Sequence, residues 1–294
     1  MKHALKEKLK QYREQVESGI NRILPAPVTR PERLHAAMRY SMNAGGKRIR
    51  PVLLLATGEL FHLRADPLPA AVAMECLHTY TLIHDDLPCV DDSPMRRGQA
   101  ACHVQFDVPT ALLAGDALLT FSFQILAEQY ASAPDLATAL TAELSDAAGS
   151  RHLIGGQMED IRNAGFPPDA ETLHYIHTNK TAALFSAALS MGAHCTNAGQ
   201  ENRENLREAG HHLGLAFQIV DDILDSTASV EDLGKPVGTD ATAEKTTYVT
   251  LCGIPGARRE AKKHTAAALE ILTRFSEGTT LLCELIRELE NRVN

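Results

Sequence analysis

The sequence predicts an all-α protein, a bundle of about ten or more helices that forms a single domain over residues 1–294. Apolar residues recur at helical spacing through nearly the whole chain, in stretches rich in Ala and Leu such as "KTAALFSAALSMGAH". Alternating runs of β-branched residues, which strands need, are few. Several predicted helices are apolar on more than one face, as the central helices of a bundle are. No linker-like or low-complexity segment separates the two halves of the chain.

Residues that break helices mark the boundaries of the predicted elements. The first helix is expected in the amphipathic stretch "MKHALKEKLKQYREQVESGINRIL", whose alternating charges differ from those of a targeting segment. Stretches rich in Pro, Gly and Asp then separate the remaining helices from one another. These breaks lie at residues 24–31, 64–69, 87–94, 132–135, 163–169 and 252–256.

Composition argues against several classes of protein. A net charge of −8 disfavours a general nucleic-acid binder, because such proteins carry a basic face. The six cysteines form no CxxC pair, which favours reduced thiols over a zinc site or a disulfide framework. No uninterrupted apolar run approaches the roughly 20 residues of a membrane span. We therefore expect a cytoplasmic protein with no membrane span.

Two acidic motifs stand out because each places paired aspartates at the end of an apolar helix. The first is "LIHDDLPCVDD" at 82–92, and the second is "QIVDDILDS" at 218–226. Carboxylates this close repel one another, and partial burial raises the cost further. A bound cation, a proton or contact with water must reduce this repulsion.

The local chain geometry predicts where these carboxylates lie. Pro88 disfavours helix for the residue before it, so the first helix is expected to end near Asp86. A short loop would then carry Asp91 back towards the same place. In the second motif, Asp221 and Asp225 are one helical turn apart and share a face.

Four short basic segments accompany the acidic motifs. They are "GGKRIRP", "MRRG", "NKTAAL" and "DLGKPVGTD". Each segment taken alone is typical of surface charge, a helix cap or a turn. In chain order they supply Lys47, Arg48, Arg50, Arg96, Arg97, Lys180, Thr181 and Lys235.

Taken together and in this order, the blocks resemble the trans-isoprenyl diphosphate synthases. The match runs from about Gly45 to Tyr248 through "GGKRIRP", "HTYTLIHDDLPCVDD", "RRG", "GGQ", "KT", "FQIVDDILD", "LGK" and "KTTY". The DDxxxxD spacing of the first motif and the shortness of the chain look like the bacterial farnesyl diphosphate synthases. The resemblance implies an isoprenoid synthase fold, in which the helices surround a central cavity.

The resemblance implies that both acidic motifs bind divalent metal. Mg²⁺ is the expected ion, because it prefers oxygen ligands and combines a few carboxylates with substrate phosphates. Mn²⁺ accepts the same ligands and could replace it. About three ions are implied, held by Asp85, Asp86, Asp91, Asp221, Asp222 and Asp225.

The resemblance also assigns side chains to the two diphosphate substrates. Those implied for the allylic diphosphate are Arg96, Lys180, Thr181, Gln218 and Lys235. Those implied for isopentenyl diphosphate, bound without metal, are Lys47, Arg50, His78 and Arg97. The residues expected to act in the reaction itself are Asp85, Asp86, Asp91, Arg96, Lys180, Asp221 and Lys235. His84 and His103 are interpreted as core histidines.

The implied reaction is a head-to-tail condensation of isopentenyl diphosphate with dimethylallyl and then geranyl diphosphate. Ionisation of the allylic diphosphate is assisted electrostatically, and the product is (E,E)-farnesyl diphosphate. Tyr80 lies five residues, or roughly 7.5 Å along a helix, before Asp85. The resemblance implies that Tyr80, with Thr81 beside it, stops the chain at fifteen carbons. Geranyl and geranylgeranyl diphosphate are the alternative products.

A terpene cyclase and a non-catalytic partner subunit are alternatives from other classes. A cyclase would replace the second DDxxD and line its pocket with aromatic side chains, yet the chain has no Trp. A partner subunit would have lost one acidic motif, and both are present. Ser93 and Pro94 interrupt the acidic run that commonly follows the first motif, which bears on substrate affinity. The resemblance further implies a homodimer.

Overall fold

The structure is a computed structural model that describes residues 2–166, 169–227, 246–275 and 278–290. Within these ranges more than ten helices account for most of the chain, which confirms the predicted all-α fold. Two compact units are distinguished. One comprises Met1–Leu55 with Asp66–Thr141, and the other comprises Ala56–Ala65 with Ala142–Asn294. The single domain over residues 1–294 stays a prediction.

The helices follow the predicted breaks closely. In the first part of the chain the elements are α1 (Lys2–Ile23), α2 (Glu32–Met42), α3 (Ile49–Gly58), α4 (Leu68–Asp85), β1 (Met95–Arg96), β2 (Gln99–Ala100), α5 (Cys102–Gln105) and α6 (Val108–Gln129). The later elements are α7 (Pro134–Ala148), α8 (Leu153–Arg162), α9 (Ala170–Ile176), a π-helical turn (His177–Ala182), α10 (Ala183–His194), α11 (Gln200–Thr227), α12 (Tyr248–Leu272) and α13 (Thr280–Glu290).

Helix α4 is the central helix of the first unit. Pro69 stands in its first turn, where a missing N–H costs no hydrogen bond. Its side chains from Ala70 to Leu77 are almost fully buried on every face, and it packs against α1, α2 and α6. This confirms the prediction that some helices are apolar on more than one face. A helix buried this completely fixes the position of the acidic residues at its C-terminal end.

Helix α6 packs along α4 in the same unit. Its first turn is capped by Asp107, whose carboxylate accepts a hydrogen bond from the Thr110 N–H at 2.7 Å. Gly115 leaves space for His84 of α4, since a Cβ there would lie 2.2 Å from His84 Nε2. Among the described helices, α6 alone is long and apolar enough to cross a membrane by length and composition. Core helices share that composition, and one face of α6 is buried against α4.

A two-stranded hairpin follows α4 and was not predicted. Met95 pairs with Ala100 and Arg96 with Gln99, so only two residues form the turn. Arg97 and Gly98 in that turn both have positive φ, 54° and 79°, as a tight hairpin turn requires. The hairpin places two consecutive arginines close to the end of α4.

Helix α11 organises the second unit. It packs against α10, α12 and the π-helical turn. Glycine allows the closest of these contacts, because a Cβ on Gly214 would lie 2.4 Å from the Ala182 Cα. On another side of the turn, a Cβ on Gly156 of α8 would lie 2.3 Å from the Lys180 N. The turn is therefore held between two close backbone contacts.

The predicted break at 252–256 proves to be a kink inside α12. Thr247 caps this helix and forms a capping box with Thr250. Gly253 has a φ of 68°, a value that does not occur within a regular α-helix, and Pro255 lies two residues further along the chain. The prediction located the interruption correctly but missed that the helix resumes at once.

Substituting Gly214 with alanine is expected to destabilise the protein despite the better helix propensity of alanine. The added methyl group would overlap the backbone of the π-helical turn, a cost of about 1–3 kcal/mol in the free energy of unfolding. Gly199→Ala is the matched control, since a Cβ there meets nothing within 4 Å. Chemical denaturation of both variants provides the measurement. Equal stabilities would contradict this account of the packing.

Candidate active site

The first acidic motif folds back on the end of α4. The helix ends at Asp85, and the Asp91 N–H donates to the Asp85 carbonyl at 2.9 Å. The Asp92 N–H donates to the Leu87 carbonyl at 3.1 Å in the same loop. The predicted helix end and the predicted return of Asp91 are both confirmed. The loop therefore places the backbone of Asp91 against that of Asp85.

Asp86 is buried at the same helix end and is paired with Arg96. Its side chain is 2% exposed, and both of its oxygens accept from the Arg96 Nε, at 2.9 and 3.1 Å. The Arg96 Nη2 donates to Asp86 as well. Burial raises the pKa of the Asp86 carboxyl, and the hydrogen bonds from Arg96 oppose that rise. Asp86, which was predicted to bind metal, and Arg96, which was predicted to bind substrate, thus form an ion pair with each other.

The glycine-rich loop and the hairpin meet through Arg97. Gly45 and Gly46 have φ values of 77° and 117°, which side chains rarely allow. The Arg97 Nη1 donates to the Gly45 carbonyl, and a Cβ on Gly46 would lie 2.7 Å from the Arg97 Cζ. Gly46 therefore leaves the space that the Arg97 guanidinium group occupies. The loop continues directly into the exposed Lys47.

His78 of α4 adds a neutral side chain to this region. The Arg50 Nη1 lies 3.5 Å from the His78 Nε2, with the guanidinium group as donor. Burial, followed by the charges of Arg50 and Arg97, holds the pKa of His78 well below its usual range. The imidazole is therefore neutral at pH 7. We refer to Lys47, Arg50, His78 and Arg97 as the basic cluster; it contains the four residues predicted for isopentenyl diphosphate.

Arg48, in the middle of the same sequence block, has a different environment. It is 2% exposed, and its guanidinium group donates to Glu75 at 2.6 Å and to Glu17 at 2.8 Å. A third bond goes to the Met42 carbonyl. Glu75 lies outside the sequence motifs, although a single carboxylate inside the apolar stretch "LPAAVAMECLHTY" indicates a buried charge that needs a partner.

Tyr80 lies on α4 between the basic cluster and the acidic end. Its side chain is 5% exposed, and its ring meets that of His84 edge to face, with centroids 5.6 Å apart. Burial raises the pKa of Tyr80 to about 12. Its hydroxyl has no hydrogen-bond partner among the described residues. The neighbouring Thr81 hydroxyl donates to the His78 carbonyl at 2.8 Å, within its own helix.

The second acidic motif lies near the C-terminal end of α11 in the other unit. Asp222 is 2% exposed and accepts the Tyr248 N–H at 2.9 Å and the Gln218 Nε2 at 3.2 Å. The Thr181 hydroxyl donates to the Gln218 Oε1 at 2.8 Å. A chain of hydrogen bonds thus links three predicted site residues to the first residue of α12. Asp225 is 7% exposed.

Lys180 projects from the π-helical turn. Its Nζ lies 2.6 Å from the Asp160 Oδ2 of α8, an ion pair that the sequence analysis did not predict. Asp160 follows the "GGQ" block by three residues. That block is therefore the sequence feature that could have pointed to Asp160 as a partner for Lys180. π-Helical turns concentrate at functional sites, where they shift side chains out of the α-helical register. Lys235, the remaining predicted cation, lies outside the described residues.

The carboxylates suit a metal that takes part of its ligands from a substrate. The donors at both motifs are carboxylate oxygens, the ligand type that Mg²⁺ prefers. Within the described ranges, no group of three or more His, Cys, Asp and Glu side chains is arranged to hold an ion alone. Mg²⁺ in such sites is commonly bound by one or two carboxylates together with substrate phosphates. The residues present therefore fit Mg²⁺ bound together with a diphosphate.

An all-α protein with two aspartate-rich helix ends and basic loops has the features of an enzyme that acts on prenyl diphosphates. The family model described as polyprenyl synthetase matches residues 31–284. The chain therefore belongs to the polyprenyl synthetase family and is an enzyme of the trans-prenyltransferase class. This confirms the resemblance seen in the sequence blocks.

Individual relatives differ in the product that their names give. Geranylgeranyl pyrophosphate synthase 7 of Arabidopsis thaliana is 42% identical over 267 residues, which cover 89% of this chain and 77% of that protein. Farnesyl diphosphate synthase of Haemophilus influenzae is 40% identical over 275 residues, which cover 91% and 93%. A crystal structure of a geranyltransferase from Helicobacter pylori, complexed with magnesium and isoprenyl diphosphate, superposes with a TM-score of 0.82. It is 32% identical and covers 97% of this chain and 96% of that chain.

Replacing Asp222 with alanine is expected to lower stability more than replacing its neighbour Asp221. The substitution leaves the Tyr248 N–H without its acceptor at the start of α12, a loss of about 1–3 kcal/mol for a buried group. Asp221 is more exposed, so Asp221→Ala serves as the matched comparison. Urea unfolding measures both variants. Equal losses would show that Asp222 does not fix the start of α12.

Proposed function

We propose that the protein condenses isopentenyl diphosphate with dimethylallyl diphosphate and then with geranyl diphosphate, and releases (E,E)-farnesyl diphosphate. Family membership supports the reaction class. The identity of the product is supported by one observation in particular, the buried aromatic ring of Tyr80 on α4. The relatives named above include synthases of both fifteen- and twenty-carbon products, so identity to them does not decide between the two.

Tyr80 supports the fifteen-carbon product through its position and rigidity. It lies five residues, or roughly 7.5 Å, before Asp85 along the helix. Its ring is held against His84, which in turn contacts the Leu112 carbonyl of α6 at 3.1 Å. A ring packed against a neighbouring side chain cannot turn aside easily when a growing chain reaches it. Thr81 lies next to it and is tied to the backbone of α4.

Six aspartates are proposed to hold Mg²⁺, about three ions in all, with Mn²⁺ as a substitute. Asp86 is held by Arg96, and Asp222 is held by Gln218 and the Tyr248 N–H, so the positions of both carboxylates are fixed. Bound Mg²⁺ supplies positive charge against the negative charge that builds on the departing diphosphate. The six are Asp85, Asp86, Asp91, Asp221, Asp222 and Asp225.

The basic side chains are proposed to divide between the two substrates. The basic cluster binds the diphosphate of isopentenyl diphosphate, and a guanidinium group suits it because its planar fork donates two hydrogen bonds at once. For the allylic diphosphate, the proposed side chains are Arg96, Lys180, Thr181, Gln218 and Lys235. Thr181 and Gln218 orient each other through their hydrogen bond.

The chain's own residues bind and orient the reactants and exclude water from the carbocation, and none acts as a nucleophile. His78 is neutral and is held by Arg50, so it acts as a fixed dipole. The proton lost after condensation is proposed to leave with the released diphosphate, as the family resemblance implies.

A homodimer in the cytoplasm is the proposed setting for this reaction. Exposed apolar side chains on α6 support the dimer: Val108 is 42%, Leu112 44% and Leu113 56% exposed. Apolar side chains grouped on one helix face commonly mark a protein interface. In this proposal α4 covers one apolar face of α6 and a second copy of the chain covers the other.

The function is tested with isopentenyl diphosphate and each allylic primer in turn, with Mg²⁺ or with EDTA, by mass spectrometry of the products. We expect farnesyl diphosphate from both primers and no turnover in EDTA. Asp85→Ala and Asp221→Ala are expected to lower turnover by about a thousandfold or more, because each removes a ligand that acts in the transition state. Circular dichroism checks that both variants fold. Near-normal turnover in both would refute the role of the aspartates.

Replacing Tyr80 with alanine is expected to lengthen the product beyond fifteen carbons, because the side chain that stops the growing chain is gone. Tyr80→Phe is the control: it keeps the ring and loses only a hydroxyl that has no described partner. Tyr80→Phe should leave the product at fifteen carbons. An unchanged product from Tyr80→Ala would show that another side chain limits the length.

A further inference from the structure

Glu75 of α4 connects the glycine-rich loop and the hairpin turn of the first unit. Its side chain is 1% exposed. Its Oε1 accepts a hydrogen bond from Arg48 at 2.6 Å and lies 3.8 Å from the Arg97 Nη2. Arg48 belongs to the glycine-rich loop and Arg97 to the hairpin turn. One carboxylate oxygen therefore faces guanidinium groups from two different loops.

Arg48 holds the glycine-rich loop in a conformation that it would not otherwise prefer. Its φ is 50°, in the left-handed region that is uncommon for side chains larger than glycine. Such a backbone persists only when its surroundings fix it. The surroundings here are the buried bond to Glu75 and the partly buried bond to Glu17. Lys47 and Arg50 begin from this anchored residue, so their positions depend on it.

Arg97 depends on Glu75 for its charge balance. Its φ of 54° is also in the left-handed region, and its Nη1 is bonded to the Gly45 carbonyl. Burial lowers the pKa of Arg97, and the carboxylate of Glu75 opposes that effect. Arg48 and Arg96 add like charge nearby. Without Glu75, the guanidinium groups around Arg97 would repel one another with less compensation.

We propose that Glu75 is a positioning residue for isopentenyl diphosphate, which holds Arg97 and the glycine-rich loop ready to donate to its diphosphate. Glu75 precedes His78 by three residues, so both lie on the same side of α4, one turn apart. One side of α4 thus positions basic side chains from two loops. The inference rests on the proposed function, in which the basic cluster binds isopentenyl diphosphate.

A purely structural ion pair would behave differently from a positioning residue. Loss of a structural pair would lower the melting temperature and would raise the KM values of both substrates to a similar extent. Loss of a positioning residue raises the KM of isopentenyl diphosphate selectively, because the allylic diphosphate is proposed to bind elsewhere. The ratio of the two KM values therefore separates the two roles.

The test compares Glu75→Gln with Glu17→Gln under steady-state conditions. Glutamine keeps the shape and one acceptor oxygen but removes the charge. For Glu75→Gln, the KM of isopentenyl diphosphate should rise about tenfold or more, while kcat and the KM of geranyl diphosphate stay within about twofold. Glu17→Gln weakens the same Arg48 but leaves the contact between Glu75 and Arg97, so it should raise the ratio of the two KM values by a smaller factor than Glu75→Gln does. An unchanged ratio in Glu75→Gln, or equal ratios in the two variants, would overturn the inference.

A double variant tests whether Glu75 acts through Arg97. If it does, the double variant Glu75→Gln with Arg97→Gln should raise the KM of isopentenyl diphosphate by less than the product of the two single increases, because the part that runs through Arg97 is already lost. If the KM increases of the two single variants simply multiply in the double variant, Glu75 does not act through Arg97. Melting temperatures are measured for every variant. If Glu75→Gln does not fold, Glu75→Asp replaces it, because it keeps the charge and shortens the reach; a wild-type ratio of KM values would then overturn the inference.

Wild-type turnover separates this inference from the proposed function. No condensation by the wild-type protein would count against the function itself. Normal wild-type condensation combined with an unchanged KM ratio in Glu75→Gln would remove only the role of Glu75.

Discussion

The buried guanidinium group of Arg48 is the constraint on which the first unit depends most. Its side chain has no exposed surface, so its charge must be balanced within the protein. The partners are Glu17 of α1, Glu75 of α4 and the carbonyl of Met42 at the end of α2. One cation therefore joins three helices to the glycine-rich loop. The conformation of that loop is a consequence of this balance rather than of its glycines alone.

Asp222 has a corresponding position in the second unit. In each case the most deeply buried charge of a motif is bonded to the scaffold, while a more exposed neighbour stands beside it: Lys47 beside Arg48, and Asp221 beside Asp222. A buried charge needs fixed partners, and those partners make its position exact enough to orient the next residue. The same short sequence block thus supplies both a scaffold-bound anchor and a neighbour proposed to bind metal or substrate. Residues within one motif should not be expected to have equal roles.

Features that depend on neighbouring residues were predictable from the sequence, and features that depend on distant ones were not. The helices, most of their boundaries and the return of Asp91 follow from periodicity and from proline, which act within a few residues. The pairing of Arg48 with Glu75 and of Lys180 with Asp160 spans 27 and 20 residues. No local pattern encodes such pairs. The hairpin escaped prediction because its strands have two residues each, too few to show an alternation.

The π-helical turn makes the second unit sensitive to register as well as to residue type. A regular α-helix advances by about 100° per residue, and a π-helical turn accommodates one extra residue. Deleting one residue from the turn would let it become α-helical and would leave the helices on either side in their present register, so a rotation of up to about that angle would fall on the side chains inside the turn, Lys180 among them. The ion pair with Asp160 and the close approach of Gly156 both require the present register. For this segment, chain length is therefore under the same constraint as amino-acid identity.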